Sequence, residues 1–232
     1  GAGTAEKEVT MSIFEGAGVA IVTPFKDGKI DFDNYGELIE WQIAEGTDAI
    51  ISCGTTGEAA TMTDEEQIAA VQYCVDKVAG RVPVIAGAGS NDTAHGVKLS
   101  IELEKTGADA LLHVTPYYNK CTQKGYMEHM KAMADAVEIP IILYSVKGRT
   151  GFNIQPATAA KLAEIPNIVA IKEASGDIVQ CAEIRRLCPD DFDIYSGNDD
   201  SIVPLLSLGS RGVISVLSNV APKDTSLMVH KY

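Results

Sequence analysis

The sequence lacks the cysteine and histidine spacings of a metal site. Its four histidines form neither an H-x-x-x-H nor an H-E-x-x-H pattern, and no two of its five cysteines form a C-x-x-C pair. The cysteines are Cys53, Cys74, Cys121, Cys181 and Cys188. An odd number of scattered cysteines is typical of free thiols in a reducing compartment. We therefore expect a cytoplasmic protein without a bound metal.

The sequence also lacks a long apolar run and an excess of positive charge. No stretch reaches the ~18 apolar residues that a membrane-spanning helix needs, and no signal peptide is recognisable. Lys and Arg number 19 against 32 Asp and Glu, which gives a net charge of −13. Because such a surface repels phosphates and anionic lipids, we expect neither nucleic acid nor a membrane as a partner. A small anionic substrate is still compatible, since local charges decide its binding.

Eight short apolar runs alternate with segments of helical pattern along the chain. The runs cover residues 18–25, 48–53, 83–87, 109–114, 139–144, 165–177, 192–197 and 212–216. The helical segments cover residues 34–45, 63–78, 91–105, 123–137, 155–163, 178–187 and 201–208, and a last one begins at residue 222. This alternation predicts an α/β protein with a parallel sheet.

The number of strands favours a closed (β/α)8 barrel over an open doubly wound sheet. A barrel of this kind typically needs ~250 residues, close to the 232 present. The first turn after a strand has no G-x-G-x-x-G, which argues against a dinucleotide site. Residues 1–10 are small and polar, so we expect a tail there and one barrel domain over residues 11–232. Thr63 and Glu66 have the spacing of a capping box, which predicts a helix beginning after Thr63.

Polar and reactive residues recur at the carboxyl ends of the predicted strands, where the active sites of such barrels lie. Five strands contribute such residues. The residues are Thr55 and Thr56 after the second strand, Tyr117 and Tyr118 after the fourth, Tyr144 in the fifth, Lys172 in the sixth and Gly197 after the seventh. Their agreement over five strands predicts a site at this end of the barrel.

Lys172 stands near the end of an otherwise apolar strand. Burial lowers the pKa of a lysine, and the neutral amine attacks carbonyl groups. Side chains alternate across a strand, so Ile168, Ala170 and Lys172 share one face. The alternative is a lysine whose ammonium reaches water or pairs with Glu173.

Tyr144 shares a face with Ile142 on the predicted fifth strand, which precedes the strand of Lys172. If both faces point inward, Tyr144 and Lys172 are neighbours in the mouth of the barrel. A lysine nucleophile and a phenol that transfers protons are the groups that imine chemistry on a keto acid needs. The alternative is a core tyrosine with a satisfied hydroxyl.

Two further segments are candidates for binding carboxylates. In the segment 54–58 two glycines flank Thr55 and Thr56, and glycine permits a turn that aims successive N–H groups at one anion. Arg149 follows Tyr144 by five residues and can grip a carboxylate with two hydrogen bonds. The alternatives are an ordinary turn and a solvated arginine.

Four motifs in this sequence resemble those of the dihydrodipicolinate synthase family, which belongs to the pyruvate-dependent class I aldolases together with N-acetylneuraminate lyase. They occur in the family's order between Phe14 and Pro222. The motifs are G-T-T-G-E at 54–58, T-P-Y-Y-N-K at 115–120, Tyr144 with R-T-G at 149–151, and I-K-E-A-S-G-D at 171–177.

The resemblance implies a lyase that condenses pyruvate with L-aspartate 4-semialdehyde to 4-hydroxy-tetrahydrodipicolinate, on the way to diaminopimelate and lysine. It implies no cofactor apart from the covalent imine between pyruvate and Lys172. Further roles follow by position in the motifs: Tyr144 relays protons, Thr56 links it to Tyr118, Thr55 and Thr56 hold the pyruvate carboxylate, Arg149 receives the semialdehyde carboxylate, and Gly197 and the carbonyl of Ile214 line the pocket. Because the second tyrosine of the family's motif reaches into a neighbouring subunit, Tyr118 implies a homodimer.

The sequence departs from the family's pattern at several positions. Ser145, Lys147 and Cys121 replace residues common in the site loops, which puts the details of those loops in doubt. Asp64, Gln67 and His95 replace residues found in lysine-inhibited members, so we do not expect lysine feedback. The family's chains usually continue past this one with C-terminal helices that hold pairs of dimers together. We therefore expect a dimer rather than a tetramer, with an exposed apolar face.

Two other functions are compatible with parts of the sequence. One is a sister aldolase that cleaves N-acetylneuraminate or a sugar keto acid. Those lyases tend to lack an arginine at the position of Arg149, which favours the synthase. The other is a catalytically silent barrel that acts as a binding protein. The presence of Lys172, Tyr144, Thr56 and Tyr118 argues against it.

Overall fold

The computed structural model describes residues 12–232. The predicted tail, residues 1–10, and the first residue of the predicted domain lie outside the described residues. The strands are β1 (Gly16–Ala20), β2 (Phe25–Lys26), β3 (Lys29–Ile30), β4 (Ala49–Ser52), β5 (Val84–Gly87), β6 (Ala110–Val114), β7 (Ile141–Ser145), β8 (Ile168–Glu173), β9 (Asp193–Ser196) and β10 (Gly212–Ser215).

Helices follow the strands. They are α1 (Phe32–Ala44), α2 (Asp64–Val78), α3 (Thr93–Glu104), α4 (Gln123–Ala134), α5 (Lys147–Thr150), α6 (Pro156–Leu162), α7 (Ile178–Leu187), α8 (Ile202–Ser207) and α9 (Pro222–His230). Within residues 12–232, none of them is long and apolar enough to cross a membrane.

Eight of the strands in the described part of the chain form a closed parallel barrel. The order around it is β1, β10, β9, β8, β7, β6, β5 and β4. Each barrel strand thus pairs with the barrel strands before and after it in the sequence, and β1 closes the ring by pairing with β10. The predicted (β/α)8 fold is confirmed.

Local sequence signals account for several element boundaries. Thr63 accepts a hydrogen bond from the backbone N–H of Glu66, whose side chain accepts one from the N–H of Thr63, so the predicted capping box is confirmed. Helix α7 also has the bounds predicted for it.

The predicted first strand is too long: β1 ends at Ala20, and β2 and β3 form a separate hairpin. Asp27 and Gly28 make its two-residue turn with φ of 52° and 75°, the Asp-Gly signal that favours such a hairpin.

The apolar core forms two layers on either side of the barrel wall. The outer layer packs the strands against the helices. The inner layer fills the barrel with alternate residues of the strands, which include Ile51, Ile85, Leu112, Ile142, Tyr144, Ala170, Tyr195 and Ile214. This division follows from the period of two in a strand, and it places the reactive residues of β7 and β8 inside.

One predicted position in the inner layer is wrong. The pairing of β7 with β8 shifts between Ile141 and Ile142, so that Ile141 pairs with Ile168 and Ile142 with Ala170. Ile168 therefore belongs to the outer layer, and Val169 packs against the inner one. A bulge of this kind adds one residue to a strand and reverses the side-chain alternation before it.

The seam between β1 and β10 depends on two glycines. Gly16 pairs with Gly212, and their φ angles are 115° and 155°. A Cβ on Gly212 would lie 1.8 Å from the carbonyl oxygen of Gly16. The ring closes at this point only because neither residue has a side chain.

We expect Gly212→Ala to lower the free energy of unfolding by about 2–5 kcal/mol, through steric overlap and backbone strain. Urea unfolding followed by circular dichroism measures it. Gly148→Ala is the matched control, because a Cβ there meets no atom within 4 Å. Equal stability of the two variants would show that the seam does not need glycine at 212.

Candidate active site

Lys172 and Tyr144 lie side by side in the barrel. They are paired residues of β8 and β7, and the Nζ atom of Lys172 lies 4.2 Å from the centroid of the Tyr144 ring. Both side chains are buried, at 4% and 6% exposure. The predicted proximity of the two residues is therefore confirmed. The aromatic face also provides a partial negative charge for the buried cation.

Burial lowers the pKa of Lys172 from 10.5 to about 8. The charge of Asp199 acts against this shift, and that of Arg149 adds to it. At pH 7 an amine with a pKa of about 8 is roughly a tenth neutral, against about one part in 3,000 at 10.5. The environment therefore increases the neutral, reactive fraction of Lys172 about 300-fold.

The carboxylate of Glu173 does not serve as the partner of Lys172. It accepts hydrogen bonds from the backbone N–H of Ser175 at 2.6 Å and from Nε2 of Gln180 at 3.2 Å. Burial raises the pKa of Glu173 while these hydrogen bonds lower it. Because side chains alternate along β8, Glu173 points to the helices and Lys172 into the barrel.

The Tyr144 phenol lies near the hydroxyl group of Thr55 and the positive charge of Arg149. Burial raises its pKa, while a hydrogen bond with the Thr55 side chain and the charge of Arg149 lower it. The phenol is therefore protonated at neutral pH, with the Thr55 hydroxyl as a neighbour through which protons can pass.

Of the two predicted threonines, Thr55 lines the same cavity as Tyr144. Thr56 is half-buried on the same turn and is not part of that lining. The relay role predicted for Thr56 thus stays a prediction. A hydrogen bond holds this turn in place, because the Thr23 hydroxyl donates to the carbonyl of Gly57 at 2.8 Å.

A cavity of about 450 Å³ opens at the carboxyl ends of β4 to β7. Its lining includes Thr55, Tyr117, Tyr144, Arg149 and Thr150 near the reactive pair. Lys172 does not line it, whereas the Tyr144 ring that contacts the Lys172 amine does. Arg149 is exposed on α5, directly after β7, as expected for a residue at the entrance.

The cavity extends away from Tyr144 toward Asp64, Gln67 and His95. Nε2 of His95 lies 2.9 Å from a carboxylate oxygen of Asp64, and the Gln67 amide donates to the carbonyls of Ala59 and Met62. The polar groups at this end already have partners within the chain. The expected lack of lysine feedback remains a prediction.

Gly197 lies close to Lys172, and Ile214 belongs to the same core layer as Tyr144, but neither lines the cavity described above. Their predicted place in the substrate pocket stays a prediction. A Cβ on Gly197 would lie 2.7 Å from the Cβ of Ala174 and 3.2 Å from Cγ of Lys172. Only glycine therefore allows this turn to approach Lys172. Ile214 is fully buried in the inner layer of the core, together with Tyr144.

Tyr118 is separate from this constellation. Its side chain is 90% exposed and its backbone has a φ of 75°. A side chain so exposed does not pack against the buried Tyr144 of the same chain. The structure thus brings together Lys172, Tyr144, Thr55 and Arg149, and leaves Tyr118 outside.

The residues that depart from the family's pattern hold loops in place or lie at the surface. The Ser145 hydroxyl accepts a hydrogen bond from the N–H of Ile154 at 3.3 Å, across the loop that carries Arg149. Lys147 is exposed at the start of α5, and Cys121 is half-buried. Ser145 therefore supports the loop in this chain.

Asp199 is a further charged residue at this end of the barrel, and the motifs did not single it out. This carboxylate follows β9 by three residues and is half-buried at the mouth of the barrel. It accepts hydrogen bonds from Ser215, Val216 and Leu217. In the sequence, its position two residues after Gly197, past the end of a barrel strand, is the feature that indicates a residue of the active-site end.

The chain is similar to known proteins over nearly its whole length. A model of the "Dihydrodipicolinate synthetase family" matches residues 13–232. The 4-hydroxy-tetrahydrodipicolinate synthase of Acetivibrio thermocellus is 61% identical over 217 residues, which are 94% of this chain and 74% of that protein. The enzyme of the same name from Caldicellulosiruptor bescii is 57% identical over 96% of this chain and 75% of its own.

Solved structures agree with these relatives. The chloride-inhibited dihydrodipicolinate synthase of Acinetobacter baumannii, in complex with pyruvate, superimposes with a TM-score of 0.91. It is 45% identical, and the match covers 93% of this chain and 75% of that one. Fold, family model and sequence identity all lead to one assignment: the chain belongs to the dihydrodipicolinate synthetase family.

Proposed function

We propose that this chain condenses pyruvate with L-aspartate 4-semialdehyde to 4-hydroxy-tetrahydrodipicolinate, through an imine on Lys172. The observation that carries the proposal is the buried Lys172 amine, with a pKa of about 8, against the Tyr144 ring. The name of the Acetivibrio thermocellus relative supports the reaction, and the pyruvate complex of the Acinetobacter baumannii enzyme supports the first substrate.

In the first half of the reaction, the neutral Lys172 amine attacks the C2 carbonyl of pyruvate. The resulting carbinolamine takes up a proton on its hydroxyl group and loses water, which leaves a protonated imine. This imine then loses a proton from the methyl group to form an enamine. Tyr144 bears a proton at neutral pH and lies beside the amine, so it is placed to deliver and remove these protons. Thr55 and Thr56 hold the pyruvate carboxylate.

In the second half, the enamine carbon attacks the aldehyde carbon of the semialdehyde and restores the imine. The amino group of that substrate then displaces Lys172 and closes the ring. The imine nitrogen accepts the electron pair during proton removal, so the proposal involves no cofactor. Gly197 and the Ile214 carbonyl line the proposed pyruvate pocket at Lys172. The five free cysteines support a cytoplasmic location.

Borohydride reduction in the presence of pyruvate should attach one pyruvyl group to Lys172, because reduction makes the imine permanent. Peptide mass mapping locates the adduct. Lys172→Met should abolish labelling, while Lys161→Met, which removes an exposed lysine on α6, should leave Lys172 labelled. Folded protein without an adduct on Lys172 would contradict the imine.

Arg149 is the proposed site for the carboxylate of the semialdehyde. Arg149→Met should raise the KM for the semialdehyde by roughly 10- to 100-fold, since a bidentate charged pair contributes about 1.5–3 kcal/mol. Steady-state kinetics with each substrate varied in turn measures the change. Lys147→Met removes a neighbouring exposed charge on α5 and should have little effect. An unchanged KM in Arg149→Met would place the carboxylate elsewhere.

We infer that the chain acts as a homodimer in which Tyr118 completes the partner's site. Two features of Tyr118 support this. Its ring is almost fully exposed, and its backbone has a positive φ of 75°, which is strained for a bulky residue and is often found at functional positions. In the dimer, Tyr118 of one protomer passes protons to the threonine and Tyr144 of the other.

Mixing two defective variants tests this arrangement. Tyr118→Phe should lower turnover, and Lys172→Ala should abolish it. A heterodimer of the two chains contains one site with both wild-type residues, so random mixing should restore about a quarter of the wild-type activity. No recovery after proven subunit exchange would place Tyr118 in its own chain's site, and a monomer in sedimentation would exclude the dimer.

A further inference from the structure

Asp199 joins the ends of two barrel strands at the mouth. It lies in the turn after β9, and its carboxylate accepts hydrogen bonds from the Ser215 hydroxyl and from the backbone N–H groups of Val216 and Leu217, the latter two at 3.1 and 2.9 Å. The three donors belong to the end of β10 and the residues after it. One carboxylate therefore fixes the β10 end relative to the turn after β9.

The same turn packs directly on Lys172. The N–H of Gly197 donates to the carbonyl of Glu173 at 2.8 Å, and the Gly197 backbone approaches the Lys172 side chain so closely that a Cβ would lie 3.2 Å from its Cγ. Asp199 is two residues further along. Its three hydrogen bonds thus hold a negative charge at a defined place in the turn that packs on the Lys172 side chain.

Within residues 12–232, two charges shift the pKa of Lys172: the negative charge of Asp199 raises it, and the positive charge of Arg149 lowers it. Tyr144 and Tyr195 flank Lys172 on the neighbouring strands. Burial raises the pKa of both phenols, so they are neutral at physiological pH.

We propose that Asp199 is a positioning residue of this site: it fixes the mouth ends of β9 and β10 and places one carboxylate charge beside the Lys172 nitrogen, where it stabilises the cationic imine. This inference rests on the imine chemistry of the proposed function. It assigns Asp199 an electrostatic role in addition to its structural one.

The charge of the Lys172 nitrogen alternates during the reaction. The free amine is neutral when it attacks the pyruvate carbonyl. Protonation of the carbinolamine hydroxyl and its departure as water then leave an iminium with one positive charge. Transfer of a methyl proton to a base returns the nitrogen to neutrality in the enamine. A fixed carboxylate nearby favours the iminium, because opposite charges attract strongly where water is excluded.

Exchange of the pyruvate methyl protons in deuterated water isolates this role. The exchange requires imine and enamine formation but no second substrate, and proton NMR follows the loss of the methyl signal. Lys172→Met gives the background rate. The rate as a function of pH should rise with the neutral fraction of Lys172.

Asp199→Asn should move the acid-side midpoint of this profile down by roughly 0.5 to 1 pH unit, since removal of a nearby negative charge favours the neutral amine. It should also lower the plateau rate, because the iminium loses its counter-charge. Asp199→Glu keeps the charge and should restore the wild-type midpoint. Ser215→Ala removes one hydrogen bond without removing charge, and its midpoint should stay within about 0.2 pH unit of wild type.

A midpoint in folded Asp199→Asn that equals that of wild type would overturn the inference. So would an equal shift in Ser215→Ala, since the effect would then come from the hydrogen bonds alone. If Asp199→Asn does not fold, Asp199→Ser serves as the neutral variant, and unfolding of both would assign Asp199 to stability alone. Exchange by the wild type without turnover of aspartate semialdehyde would contradict the proposed function while leaving this test intact.

Discussion

The burial of one ammonium group is the constraint on which the rest of the site depends. Bringing Lys172 into the barrel lowers its pKa from 10.5 to about 8, which corresponds to roughly 3 kcal/mol against the charged form. The chain can hold it there because β7 and β9 cover the strand on both sides and the Tyr144 ring faces the nitrogen. The absence of a side chain at Gly197 lets the neighbouring turn close over it.

The features predicted from the sequence are those that repeat along it. The alternation of apolar strands and helices predicted the barrel, and the period of two placed Tyr144 beside Lys172. The bulge that moves Ile168 to the outer layer has no such signal, because it arises from the fit between two particular strands. The position of Thr55, rather than Thr56, in the cavity wall with Tyr144 likewise depends on the shape of one turn, where side chains follow no period.

Asp199 was missed for a related reason. A carboxylate in a loop is usually solvated, and in the sequence only its place past the end of a barrel strand indicates a second role. Its partners, Ser215 to Leu217, come together with it only after the barrel has closed. Contacts between loops of different strands depend on this closure, so they are the part of the site that local patterns predict least. The strands themselves, which position Lys172 and Tyr144, are predicted best.

Two opposite charges then adjust the reactivity of the buried amine. Burial alone would favour a neutral nitrogen that attacks readily but forms a costly iminium, and the fixed carboxylate of Asp199 offsets that effect. A closer ion pair would hold the amine protonated and prevent attack. Arg149 works in the other direction, and a bound anionic substrate would neutralise its charge. The resulting pKa of about 8 lies near neutral pH, where general acid–base and nucleophilic steps are both efficient.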